Sequence, residues 1–375
     1  MIRGVTARDS GRNTRVDFTH HLKPQTNTKA SPMKAAIIHE FGPPEVFKYE
    51  DVADPAPKPN HAVIKVLACG INRYDLFLRM GGVQAETSLP HVMGADVVGE
   101  IIQIDGDDSG HKVGDRVIVA PGFPIDPADW NHKPENFAPS YTVTGTTLWG
   151  GYAQCMSVPT RFLLADKTNL PADECATLPL VLVTAMHSVK TLGEVKPGQH
   201  VLIQAGASGS GSMCIQVAKT LGAKVATTVG DDSKFEVATQ CGADLVINHR
   251  KENFREKVLE WTDGKGVDMV IDNVGGGILK DNLTSMRRGG ILVNFGLVGG
   301  IKDEINFAMM IFNQYQFRGS MMGSMDELRE GLDLVQAGKI KPVLDRTFPL
   351  SDAAQAHQYI EERKVKGNVV LQPWP

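Results

Sequence analysis

Residues 201–221 read VLIQAGASGSGSMCIQVAKTL, and this stretch decides the fold. Residues 201–205 are a short apolar run of strand type, and residues 206–211 form a glycine-rich turn. Residues 212–221 carry apolar side chains at Met213, Ile215, Val217 and Ala218 and read as a helix. Placed between a strand and a helix, the glycines have a physical purpose. They allow a sharp turn and close approach of a diphosphate, while the helix N-terminus offers unsatisfied N–H groups and positive dipole character. Ser210 and Gly211 are the expected diphosphate contacts, with Gly206 and Gly209 permitting the approach. A turn whose glycines serve packing alone is the competing reading.

The rhythm continues downstream. Residues 224–229, 245–248, 267–272, 291–295 and 316–319 are further strand candidates, and residues 233–240 form a helix. Strands alternating with helices predict a parallel sheet covered on both faces, hence an α/β domain over residues 178–320. Upstream, short β-type runs at 35–38, 62–67, 97–102 and 117–120, separated by Gly, Pro and Asp turns, predict an all-β domain over residues 33–177. Residues 121–150 interrupt it with many Pro, Asn and Thr residues and no cysteine, and read as a long surface lobe. Residues 321–375 hold a helix at 325–338 and a terminal strand at 366–371 that returns to the first domain.

The 375 residues, 42% of them hydrophobic, are enough for two cores. A formal charge of −4 gives no electrostatic reason to expect nucleic acid or an anionic membrane. No uncharged apolar run approaches the roughly 20 residues of a bilayer span, so a soluble protein with small-molecule and subunit partners is expected. The five cysteines are scattered without a CxxC pair, which predicts a reducing, cytoplasmic setting. Residues 1–32 form a basic extension with Arg3, Arg8, Arg12, Arg15, Lys23 and Lys29 against Asp9 and Asp17. It reads as an appendage, as a poor organellar presequence, or as translation ahead of a working start at Met33.

The end of the second α/β strand bears on the cofactor. A site for NAD usually puts an acid there to accept from the adenosine ribose. Here the strand ends Thr227, Thr228, Val229, Gly230, and Lys234 follows about one helical turn later, where its charge suits a ribose phosphate. The expectation is NADP. Asp231 and Asp232 oppose it, because either suits a ribose hydroxyl and repels a phosphate.

Residues 33–42, Cys69-Gly70-Ile71-Asn72-Arg73-Tyr74-Asp75, 94–99, 114–117, 206–211 and 272–275 together resemble the medium-chain dehydrogenase/reductase superfamily, in its quinone oxidoreductase and enoyl reductase branch. The resemblance implies a Rossmann domain with a discontinuous GroES-like β-rich catalytic domain wrapped around it, a cleft between them, and a homodimer or homotetramer. Zinc-dependent members put a cysteine and a histidine where this chain has Asn72 and Ala95. Neither residue supplies a zinc ligand, and the lobe lacks the thiolates of a structural site, so no metal is expected. The resemblance also places Thr184 near the nicotinamide, His249 near the adenosine phosphate, Asn273 near the ribose, and Phe295, Gly296 and Leu297 along the nicotinamide pocket.

It further implies hydride transfer from NADPH to an enone, quinone or enoyl acceptor, with Asn72 orienting the cofactor or substrate oxygen and Tyr74 as the nearest phenol. Phe77 stands where the branch has an aromatic hydroxyl, so water is the alternative proton source. Asp75 is read as support for the loop. A carbonyl reductase or alcohol dehydrogenase using NADP, and a non-enzymatic NADPH-binding sensor, are the rival functions.

Overall fold

Alternating β-branched runs and glycine or proline turns build the first domain of this computed structural model, which describes residues 32–56, 58–82, 86–106 and 110–374. The basic extension falls outside the described residues except for Pro32. The strands are β1 (Met33–Ile38), β2 (Phe47–Val52), β3 (His61–Ile71), β4 (Asp96–Asp105), β5 (Arg116–Val119), β6 (Gly122–Pro124), β7 (Tyr141–Val143), β8 (Cys155–Pro159) and β9 (Leu163–Ala165), with α1 (Arg73–Arg79) after β3 and α2 (Ala172–Cys175) after β9.

The second domain follows with α3 (Pro179–Ala185), β10 (His200–Ile203), α4 (Gly209–Thr220), β11 (Lys224–Val229), α5 (Phe235–Gln240), β12 (Leu245–Asn248), α6 (Phe254–Trp261), β13 (Val267–Asp272), α7 (Leu279–Thr284), β14 (Met286–Asn294), α8 (Phe307–Asn313) and β15 (Gln316–Gly319). Helix α9 (Met325–Gln336), β16 (Leu344–Pro349), α10 (Ala353–Glu361) and β17 (Asn368–Gln372) complete the chain.

The second domain's sheet is parallel throughout, in the order β12-β11-β10-β13-β14-β15. The chain enters at the centre with β10, runs outward to β12, then crosses to β13 on the other side. That reversal leaves a crevice at the C-terminal ends of β10 and β13, where the glycine turn and residues 273–275 lie. The first domain's sheet has the order β16-β17-β3-β4-β5-β9, with β17 antiparallel to β3. The last strands thus join a sheet begun some 300 residues earlier, and the first domain is discontinuous, a GroES-like β-rich unit beside a Rossmann-type one.

Three expectations need correction. Helix α4 begins at Gly209 and not at residue 212, because Ser208 caps it by accepting the Gly211 N–H at 3.1 Å. The lobe 121–150 is no mere surface loop. β6 and β7 pair within it, and Phe123 is buried and stacked on Phe162 with ring centroids 4.6 Å apart. Finally, the helical stretch Ala172–Leu192 is long and apolar enough to span a bilayer by length and composition alone, but 78% of its apolar window is buried inside the protein. Its apolar side chains, among them Val181, Leu182, Val183 and Ala185, belong to the hydrophobic core.

Candidate active site

The turn after β3 brings three buried polar residues together. Asn72 precedes α1, and its backbone N–H donates to Asp75 Oδ2 at 2.7 Å, tying the first turn of the helix back on itself. The Asn72 side-chain Nδ2 donates to Asp96 Oδ2 at 2.8 Å. Asp75, read as loop support, has that place here. Burial pushes its carboxyl up to about 7 and that of Asp96 up to about 8, against the bonds from Asn72 and from backbone amides that hold them down.

Behind Asp75 stands a sealed network. Tyr152 Oη lies 3.0 Å from His357 Nε2, and Arg79 Nη1 donates to His357 Nδ1 at 3.0 Å. Because Arg79 only donates, Nδ1 accepts and the imidazole proton sits on Nε2. Burial and the Arg79 charge hold His357 well below its ordinary value, so it is neutral. Arg79, wholly buried, also donates to the Gly42 carbonyl at 3.0 Å and pairs with Glu361. An arginine does not release its proton, so this chain ends at His357 and orients Asp75 without relaying protons.

Tyr74 reaches the fully buried Thr146, hydroxyl to hydroxyl, at 3.0 Å. Burial raises its pKa. Phe77 is partly exposed and folds over Gly82. Thr184 on α3 is buried with its hydroxyl 3.9 Å from the Met322 sulfur, and Met322 holds a left-handed φ of +55° that a non-glycine residue adopts only under tertiary constraint.

The glycine turn is shaped chiefly by its own neighbours. A Cβ on Gly206 would stand 2.1 Å from Thr227 Oγ1, one on Gly211 2.2 Å from the Ala205 carbonyl oxygen, and one on Gly209 2.0 Å from Asn368 Oδ1 of β17. Packing therefore already demands these glycines. The Gly211 N–H is taken by Ser208, so the open first-turn donors are the N–H groups of Gly209 and Ser210. Asn273 leans over them, with Nδ2 3.3 Å from Ser210 Oγ and 3.4 Å from Ser208 Oγ, while its buried Oδ1 has no partner. An orphaned acceptor beside free helix-terminal donors fits a phosphoribosyl group. The Phe295 and Gly296 N–H groups both donate to the Asp272 carbonyl, and this leaves Leu297 half exposed on the loop beyond.

The end of β11 is crowded with cations. Lys234 Nζ donates to the Arg363 carbonyl at 2.9 Å, and its pKa is lowered by burial and by Arg73. Arg73 is itself lowered by burial and by Arg363, and it makes no hydrogen bond or ion pair among the described residues. His249 and Arg250 lean over Gly230, whose added Cβ would lie 3.3 Å from His249 Nε2. Burial, Arg250 and Arg363 lower His249. Of the two acids that oppose NADP, Asp231 accepts the Ser233 N–H at 2.9 Å and is lowered also by the charges of Arg250 and Lys234, whereas Asp232 pairs with Lys251 and accepts Asn248 Nδ2 at 2.6 Å. Nothing local in the sequence marks Arg73, Arg250 and Arg363 as neighbours of Lys234 and His249. They come from separate segments of the chain.

Two family models match, "Alcohol dehydrogenase GroES-like domain" over residues 58–169 and "Zinc-binding dehydrogenase" over residues 209–337. A "2-haloacrylate reductase" of Burkholderia sp is 32% identical over 356 residues, covering 90% of this chain and 98% of its own. The chain belongs to the medium-chain dehydrogenase/reductase superfamily. Within that superfamily it falls in the zinc-independent quinone oxidoreductase and enoyl reductase-like branch: a "Quinone oxidoreductase" of Pongo abelii is 30% identical, with 88% of this chain and 94% of that one covered. A solved "NAD-dependent alcohol dehydrogenase" is 32% identical at a TM-score of 0.84, covering 91% of this chain and 100% of that one. The chain is therefore an NAD(P)-dependent oxidoreductase, and its relatives' names divide over substrate and cofactor.

The zinc named by one family model does not fit these residues. Among the described residues no group of three or more His, Cys, Asp and Glu side chains is placed to hold a metal. Asn72 and Ala95 supply no ligand, and Asp96 already accepts two N–H groups, from Asn72 and Leu180.

Proposed function

We propose that this medium-chain dehydrogenase/reductase is an NADPH-dependent reductase of conjugated acceptors, an enone, quinone or enoyl compound, working without a metal. The observation that carries the NADPH preference is the cation cluster at the end of β11. Lys234, Arg73 and Arg363 crowd one another, and burial with this crowding lowers Lys234 and Arg73 although Asp231, Asp345 and Glu361 offset part of the repulsion; Asp231 also caps Ser233 and Asp232 pairs with Lys251. A 2′-phosphate relieves that repulsion, and a bare ribose hydroxyl does not.

The first-turn N–H groups of Gly209 and Ser210 would receive the diphosphate, with Asn273 Oδ1 accepting from a ribose hydroxyl. NADPH, when bound, supplies a hydride that adds to the acceptor's β carbon as negative charge moves to the conjugated oxygen. The chain's own part is electrostatic. The second Nδ2 hydrogen of Asn72 is free of Asp96 and meets that oxygen or the carboxamide that positions it. Tyr74, held by Thr146, offers a hydroxyl beside this turn and donates to the same charge. Water protonates the α carbon, since Phe77 brings no hydroxyl.

The five free cysteines, four of them buried with thiols raised by burial, support a reducing, cytoplasmic setting. A homodimer is the assembly we favour. Strand β15 is one of the two edges of the parallel sheet, and the helix α8 before it exposes Phe307, Ile311 and Phe312 at 75, 68 and 71%.

The test is a panel of an enal, an enone, a quinone, an enoyl thioester, a saturated ketone and several alcohols, with products separated by mass spectrometry. Saturation of the alkene with little turnover of primary alcohols is the expected result. Alcohol formation from the saturated ketone with the enone's alkene untouched would move the assignment to carbonyl reduction, and NADPH binding without turnover across the panel would favour a sensor.

A further inference from the structure

Asp96 is a buried carboxyl group that the mechanism above leaves without a task. It opens β4 at 1% exposure, and its two oxygens serve two different domains. Oδ2 accepts Asn72 Nδ2 at 2.8 Å, and Oδ1 accepts the Leu180 N–H at 2.7 Å in the first turn of α3. Helix α3 also carries the buried Thr184, the residue that the family resemblance sets near the nicotinamide. Little space surrounds the carboxyl: a Cβ on Gly70 would lie 3.0 Å from Asp96 Cβ and 2.2 Å from the Ala176 carbonyl oxygen. Asp96 is thus confined between β3 and the segment leading into α3.

A carboxamide has two ends of nearly equal shape, one donor and one acceptor, and only its hydrogen bonds decide which faces where. With Asp96 ionised, above about pH 8, a flip of Asn72 would set its Oδ1 against Asp96 Oδ2, oxygen to oxygen, and leave a buried carboxylate oxygen unpaired. An unpaired buried acceptor costs roughly 1–3 kcal/mol, a bias of about tenfold to hundredfold. We propose that Asp96 is a positioning residue for the reduction: it fixes the donor end of Asn72 and ties it to α3, so that Asn72 and Thr184 keep one separation across the domain boundary. The chemical consequence rests on the reductase reading, whereas the link itself does not.

A double-mutant cycle on the full chain tests it, with the parent, Asp96→Asn, Asn72→Ala and the double variant. Asp96→Asn keeps the shape but sets an NH2 group against one of the two donors. With cyclohex-2-enone as acceptor, Asp96→Asn is expected to lower kcat at least about tenfold while KM and the NADPH dissociation constant stay within about threefold, as for a residue that acts only in the transition state. Because Asp96 acts through Asn72, adding Asp96→Asn to Asn72→Ala should cost nothing more. Losses that multiply, or a parent-like kcat in Asp96→Asn, would overturn the proposal.

Hydrogen exchange in the apo protein supplies a readout free of turnover: the peptide containing Leu180 should exchange at least about tenfold faster in Asp96→Asn, with β10 to β12 unchanged. Unchanged exchange there breaks the link, and acceleration everywhere would assign Asp96 to general stability. If the parent reduces no acceptor, the reductase reading fails, and the tie between Asp96 and α3 is decided by the exchange alone. Asp96→Ser, smaller and uncharged, takes the place of Asp96→Asn if the latter does not fold.

Discussion

The two ends of the cleft follow opposite electrostatic plans. At the reacting end, Asn72, Asp75 and Asp96 are buried and bonded to one another, with Tyr152, His357 and Arg79 closing the network behind them. At the end we propose for the adenosine, Arg73, Lys234, Arg250 and Arg363 gather like charges that Asp231, Asp345 and Glu361 offset only in part. The first arrangement is complete before any ligand arrives and supplies orientation. The second is frustrated until an anion arrives and supplies affinity. Precision comes from satisfied buried bonds, whereas binding energy comes from charge left unsatisfied.

The comparison breaks most visibly at Arg79. Replacing it with Met leaves Glu361 and His357 without their partner inside the first domain. Glu361 is 37% exposed, so the main cost is the Gly42 carbonyl and His357 Nδ1 left unpaired, about 1–3 kcal/mol each, and urea unfolding should show a drop of that order. A change below about 1 kcal/mol would mean that the network is ornamental to folding.

Asn72→Ala probes the same end by function. Turnover should fall about a hundredfold while NADPH binding stays within about threefold, because the lost bond forms to charge that develops in the reaction. If only cofactor affinity falls, Asn72 belongs to binding and the contrast between the two ends dissolves.

At the other end the expected effect is smaller and falls on affinity. Lys234→Ala should weaken NADPH about tenfold, leave NADH unchanged, and lessen the salt dependence of NADPH binding. Fluorescence titration at two ionic strengths reads all three. Equal parent affinities for NADPH and NADH would refute the assignment of the cluster.

The gentlest test is the pH dependence of stability. Asp96, raised from 3.8 to about 8, keeps its proton in the folded state across the range where the unfolded chain has lost it. Its contribution is therefore fully present below about pH 4 and is lost as the pH rises toward 8. Asp96→Asn should flatten the decline of stability between pH 5 and 8, by less than the ~1.4 kcal/mol per pH unit that one whole proton would give. A profile unchanged between pH 5 and 8 would show that Asp96 is ionised throughout that range and held by its two N–H donors.

Much of the fold can be read without the structure because it rests on local signals. The runs 224–229, 245–248, 267–272 and 316–319 are strands over those same residues, the first three short segments rich in apolar and β-branched residues, the last the exposed edge strand Gln316–Gly319. Helices α6, α7, α8 and α10 were passed over, although Asn253 and Asn306 cap α6 and α8 with the usual bond to the first turn. That signal was present and went unused. The burial of the 121–150 lobe was not legible, because Phe123 meets Phe162 only when two distant segments pack.

The candidate site divides along the same line. Sequence alone determined the strand–turn–helix at 206–211, the presence of Asn72 and Ala95 in place of metal ligands, and the lysine at 234, since each is a matter of residue type and near-neighbour spacing. Tertiary structure alone decided that Asp231 and Asp232 are occupied, that Gly211 gives its N–H to Ser208, and that Arg73 and Arg363 stand beside Lys234. It also decided that Asp96 reaches both Asn72 and Leu180. Hydrogen bonds and charge clusters depend on distances of a few ångströms between segments separated by tens to hundreds of residues. Local propensity carries no term for those distances. They are set when β17 closes on β3 and the two domains pack along α3.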